Sequence, residues 1–186
     1  DVVFTGTGTW ATAERWSSGF VPDLYDKAAI GYDGGAVGIC TLSASPAEVA
    51  SLVINPLSSL DLAGYSLTVT TTISNNGTLS LQGGEAISVV PANTPSSTVI
   101  YYGSDTYAKL HAGSVYGNLT FNGSGSWALD ETVTVNGGFW LVAGTFDTNG
   151  EDQYFAGEFT LDSGGYVKGG TLTFNTYYSA SNNMKV

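Results

Sequence analysis

The sequence predicts an all-β protein, a single parallel β-solenoid with an irregular N-terminal cap. Three observations carry this reading. The stretch from Ser126 to Asn175 repeats at a constant interval, aligning Thr132–Val135, Thr145–Thr148, Glu158–Leu161 and Thr171–Phe174. Val133, Phe146, Phe159 and Leu172 hold the second position, and Gly144, Gly157 and Gly170 precede the last three runs. Fixed spacing of apolar residues and glycines marks stacked units that bury together what none buries alone. From Val49 onward apolar residues also alternate, as in Leu60-Asp61-Leu62 and Leu79-Ser80-Leu81, so one face of each strand points inward. Finally, only 11% of the 186 residues are charged, with 25 Gly, 11 Tyr and 8 Phe, a composition rich in strands and turns.

Along the chain, residues 1–48 read as the cap, with Trp10, Trp16 and a Pro22-Asp23 turn, because a terminal rung must cover the open end of the stack. Residues 49–90 form the first rungs. The stretch 91–97, PANTPSS, reads as a loop, since its prolines cannot donate to a ladder. Residues 98–186 are the regular rungs, and all of it is one domain. No helix of normal length is expected; Ala44 to Ala50 suits one turn.

Asn-Gly pairs at Asn76, Asn122, Asn136 and Asn149 turn corners, because both residue types tolerate positive φ. They suit a solenoid corner or, in the alternative antiparallel β-sandwich, a hairpin. The repeat favours the solenoid, because hairpin sandwiches rarely repeat side-chain identity at fixed spacing. The interval from Val133 to Phe146 is either half of a larger rung or one slim rung. The wider step from Leu60 to Leu79 shows that rungs are not uniform.

Composition also excludes function classes. The net charge of −11 and only five cations leave nothing to neutralise phosphates, which excludes nucleic acid and disfavours anionic membranes. No apolar run is long enough for a membrane-spanning helix. Cys40 is alone, reads as a small core residue and builds no disulfide framework. Low charge and Thr/Ser/Gly-rich strands suit an exported, cell-surface or extracellular chain. The start at Asp1 without Met is the one expected of a processed mature end or of a trimmed chain.

The opening stretch, Gly8-Thr9-Trp10 followed by Trp16-Ser17-Ser18-Gly19-Phe20-Val21-Pro22, resembles the start of many secreted bacterial β-solenoid surface proteins. Tyr116 to Gly125 and Gly144 to Gly150 resemble their rungs. The proteins so resembled are large adhesins and autotransporter-like repeat proteins. The resemblance implies a right-handed solenoid, export, and a structural or adhesive role.

No catalytic or metal site is expected, and no cofactor. The only histidine, His111, has no Ser or Cys motif beside it. Asp130-Glu131 and Glu151-Asp152 are adjacent, and neighbouring strand residues point to opposite faces, so neither forms an acid/base pair. Asp23, Asp26 and Asp33 lack the spacing of a calcium loop. Trp10, Trp16, Trp127 and Trp140 are candidate sugar-stacking residues, with Trp10 and Trp16 read as closing the N-terminal end. The Thr-x-Thr runs read as ordinary solvent-facing strands, because Asn118, Asp147 and Glu158 interrupt the file an ice-binding face needs. Asn76, Asn118 and Asn122 begin N-x-S/T triplets.

A solenoid exposes a strand edge at each end, which recruits other chains unless covered. The strand-like stretch from Thr171 to Tyr178 carries no charge. The expected role is therefore an extracellular subunit that polymerises head to tail into a filament or pilus-like fibre. Its assembly surface is Phe4, Trp10 and Trp16 at one end and Leu172, Phe174, Tyr177 and Tyr178 at the other. Other copies of the chain are then its partner. An adhesin segment of a longer protein, with host or surface glycans as partners, and a carbohydrate-binding or carbohydrate-active β-helix are the alternatives.

Overall fold

The computed structural model describes residues 1–32, 34–44 and 47–174, and it is a parallel β-solenoid. Sheet I stacks β1 (Val2–Phe4), β3 (Lys27–Ile30), β5 (Ala47–Ile54), β7 (Leu67–Asn75) and β9 (Ala92–Asn93). Sheet II runs the length of the molecule. It stacks β2 (Gly6–Thr9), β4 (Gly38–Thr41), β6 (Ser59–Asp61), β8 (Thr78–Leu81), β10 (Thr98–Tyr101), β13 (Asn118–Ala128), β15 (Phe139–Asp147) and β17 (Phe159–Lys168), with β11 (Thr106–Tyr107) also paired to β13. Sheet III stacks β12 (Val115–Tyr116), β14 (Thr134–Val135), β16 (Gln153–Phe155) and β18 (Leu172–Phe174). Every pairing between these strands is parallel, which excludes the hairpin sandwich. Sheet III takes over the flank that sheet I leaves. Asn93 of β9 donates its side-chain amide to the carbonyls of Ala112 and Val115, at 3.0 and 3.2 Å.

Rung length follows from register. Val99, Leu119, Phe139 and Phe159 stand in one file, so the equal steps between them are the rungs of the second half. Leu60 pairs directly with Leu79, so the slightly shorter step between these two is also a full rung. The interval from Val133 to Phe146 is neither half a rung nor a whole one. Each coil has three sides, and this interval covers two of them. Val133 lies just before β14 on one side, Phe146 near the end of β15 on the next, Phe159 at the start of β17, and Leu172 in β18. All four nonetheless turn to the lumen: Val133, Phe146 and Phe159 are buried, and Leu172 packs against the core from its end.

The longest strands turn a corner without breaking the ladder. In β13 and β15 the register slips between Phe121 and Ser126, opposite Leu141 to Thr145. Gly144 makes that corner with φ +85°, and a Cβ there would meet the carbonyl of Gly125 at 2.5 Å, so no side chain fits. Two stretches differ from expectation. Residues 91–97 supply the short strand β9, which pairs with Ser74 and Asn75; the prolines Pro91 and Pro95 flank it instead of interrupting it. Where one turn of helix was expected across 44–50, strand β5 begins at Ala47, because neighbours on both sides offer ladder partners.

The core changes character along the stack. Beyond the N-terminal end, rungs up to Leu81 fill the lumen mainly with Leu, Ile and Val. From Tyr101 onward aromatic rings form a connected column: Tyr101, Phe121, Trp127, Phe139, Phe146, Phe155, Phe159 and Phe174 are linked by ring contacts at centre distances from 4.8 to 6.4 Å. Cys40 is buried in the aliphatic part, and desolvation pushes its thiol up to about 12.

Candidate functional site: the N-terminal closure and the outer face of sheet II

The N-terminal end is closed by its own chain. After β2 the chain makes a 3-10 turn at Ala13–Arg15 and crosses back under β1 in antiparallel sense, with Trp16 opposite Phe4. Thr5 N–H donates to the Arg15 carbonyl at 3.0 Å, and Ser17 N–H donates to the Val3 carbonyl at 2.8 Å. Val3 N–H donates to the Ser17 hydroxyl at 3.0 Å. The outer edge of β1, which would otherwise present unpaired groups, is thus occupied. Phe4, Trp10 and Trp16 fill the lumen behind it as edge-to-face pairs at 5.1 and 4.9 Å. Trp16 Nε1 donates to the Trp10 carbonyl at 2.8 Å, whereas Trp10 Nε1 is buried with no partner. Arg15 Cγ and Nε lie beneath Gly8 of β2.

The structure therefore brings Phe4, Trp10 and Trp16 together, as buried contacts within one chain. At the far end Leu172 and Phe174 are half-buried in β18. Tyr177 and Tyr178 lie outside the described residues. So does Asp33. Its companions sit in an exposed loop, where Tyr25 N–H bonds the Asp23 carboxylate and Asp23 N–H bonds that of Asp26. Phe20 and Tyr25 project from the same loop, 76% and 92% exposed.

Among the described residues no group of three or more His, Cys, Asp or Glu is placed to hold a metal. His111 is half-buried, and burial, followed by the charge of Lys109, lowers its pKa. Lys168 and Asp147 form an exposed ion pair at 2.7 Å that holds the carboxyl below its usual range. Asn118 serves a corner, donating to the Ser97 carbonyl and accepting from Gly138 N–H, whereas Asn122 is exposed.

Two features were not read from the sequence. Glu85 is buried and accepts the N–H groups of Gly64, Gln82 and Gly83 at 2.6 to 3.0 Å, a carboxylate that pins a corner. The run Gln82-Gly83-Gly84-Glu85 carries that signal, since Gly83, at φ +130°, lets successive backbone N–H groups turn toward one carboxylate. The second is the separation of Trp140 from the other indoles. Trp127 is in the core, its Nε1 donating to the Gln82 carbonyl at 3.1 Å. Trp140 alternates with inward Phe139 and Leu141, so it faces out from sheet II, between Thr120 of β13 and Thr160 of β17. The same outward file runs on through Thr9, Thr41, Asp61, Ser80 and Ile100. Asp61 and Ile100 interrupt its hydroxyls, as Ile39, Asn118 and Glu158 interrupt the parallel one. The file is therefore a mixed polar surface with one large aromatic on it.

No family model, no curated protein and no solved structure matches the chain, so its own geometry carries the functional reading.

Proposed function

We propose that this chain is a non-catalytic adhesive scaffold of a cell-surface protein, a solenoid segment that displays an outer face to the extracellular medium. The observation that carries this over the fibre-forming subunit is the closure of β1 by Arg15 to Ser17. Head-to-tail growth through sheet I would require a partner strand to pair where those residues already pair. Displacing them would break three hydrogen bonds and uncover Trp16. A first strand whose outer edge is already paired suits a module that presents sides rather than ends.

The test is adhesion. Cells displaying the chain, and beads coated with it, should bind glycan-covered surfaces more than controls displaying an unrelated β-protein. Equal binding to both would remove the adhesive reading. Purified protein forming filaments in negative stain would restore the fibre-forming subunit.

A further inference from the structure

The geometry points to Trp140 as a stacking platform for an uncharged hexopyranose, seated on Gly138 and flanked by Thr120, Thr160 and Glu158. Gly138 is on the same outward face two residues before Trp140, yet it is buried, because the indole lies over it. A Cβ at position 138 would come within 2.5 Å of both Cζ2 and Cζ3, and closer still to Cη2. That pattern belongs to a point above the ring plane; an edge-on indole would hold both Cζ atoms well beyond Cη2. One ring face is thus laid flat on the sheet, and the opposite face turns outward.

A flat aromatic face attracts the C–H face of a pyranose, as it does other apolar surfaces. The neighbouring strands lie about 4.8 Å to either side, about the width at which a stacked ring presents its hydroxyls. Thr120 is on one side and Thr160 on the other. Glu158, which directly precedes β17, stands beside Gly138, exposed, with its carboxylate accepting from the Thr160 hydroxyl at 3.3 Å. Hydroxyl and carboxylate together can accept from and donate to sugar hydroxyls. The carboxylate and the net charge of −11 select an uncharged sugar over an acidic one. The glycine is required because any side chain at 138 would lift the indole from its seat. This assignment rests on the adhesive reading for its setting and names the class of ligand.

Trp10, Trp16 and Trp127 are buried, so Trp140 reports on the outer face alone. Indole-¹⁵N-labelled protein would be titrated with uncharged oligosaccharides built from glucose, galactose, mannose and N-acetylglucosamine. The Trp140 N–H signal is expected to shift with at least one series, while the other three stay in place. Trp140→Ala should weaken that binding at least tenfold. Gly138→Ala, which keeps the indole but unseats it, should weaken it several-fold with the fold intact by circular dichroism. A Trp140 signal unmoved by every series, or undiminished binding by Trp140→Ala, overturns the assignment. Cell adhesion that survives Trp140→Ala overturns the platform and leaves the adhesive scaffold standing. Sugar binding at Trp140 without any adhesion does the reverse.

Discussion

Phe139 touches four other rings, those of Phe121, Phe146, Phe155 and Phe159, and links three successive rungs. Phe139→Ala should cost about 3–5 kcal/mol, because neighbours held by the ladder cannot collapse into the void. Urea unfolding would read it as a lower midpoint. Titratable residues in the core set an alkaline limit. Burial raises Cys40 to about 12, and it raises Tyr101 and Tyr116 as well. In the unfolded chain these groups ionise from about pH 8.5 for the thiol and about pH 10 for the phenols. Their contribution is fully present below those values and is lost as pH rises toward the folded ones. Stability should therefore fall from about pH 8.5 upward, at about 1.4 kcal/mol per pH unit for each group involved. Cys40→Ala should flatten the onset of that decline in chemical denaturation measured from pH 7 to pH 11. The same thiol should react with a thiol reagent only after unfolding.

Among the elements, the closing segment invites a direct test. Trp16→Ala removes a buried indole, its bond to Trp10 and its contact with Phe4, so it should cost about 3–5 kcal/mol. Hydrogen exchange at the Thr5 amide, which donates to Arg15, should speed far more than at Leu79 in the middle of the stack. Sequence patterning shows both the strengths and the limits of reading such elements in advance. Alternation places Leu60, Leu62, Leu79 and Leu81 inward, because period 2 is enforced wherever one strand face is buried. The interval from Val133 to Phe146 misleads about rung length for a physical reason. On a three-sided coil every side wants the same pattern, apolar in and polar out, so a repeat spanning two sides is as regular as one spanning three. The closing segment is not legible either, since nothing in Ala13-Glu14-Arg15-Trp16-Ser17 distinguishes a strand that crosses under β1 from a turn. Trp10 and Trp16 point to an end, and their burial together follows. Trp140 is separated from the other indoles only by the parity of its position, which becomes meaningful once the register with Thr120 and Thr160 is known.

The whole molecule is a stack of parallel rungs whose first strand is covered by its own chain and whose outer face carries the seated indole of Trp140. A net charge of −11 adds mutual repulsion between copies at low salt. Above about 0.15 M salt that repulsion is screened beyond about 8 Å, so strand pairing or its absence then decides association. The measurement that tests the account most directly is sedimentation velocity of the unmodified protein, from micromolar to near-millimolar concentration at low and physiological salt. A single monomeric species throughout is expected of a module that presents its sides, with the edge of β1 already paired. Filaments or a growing series of oligomers at physiological salt, with the Thr5 and Ser17 amides exchanging as open groups, would contradict it.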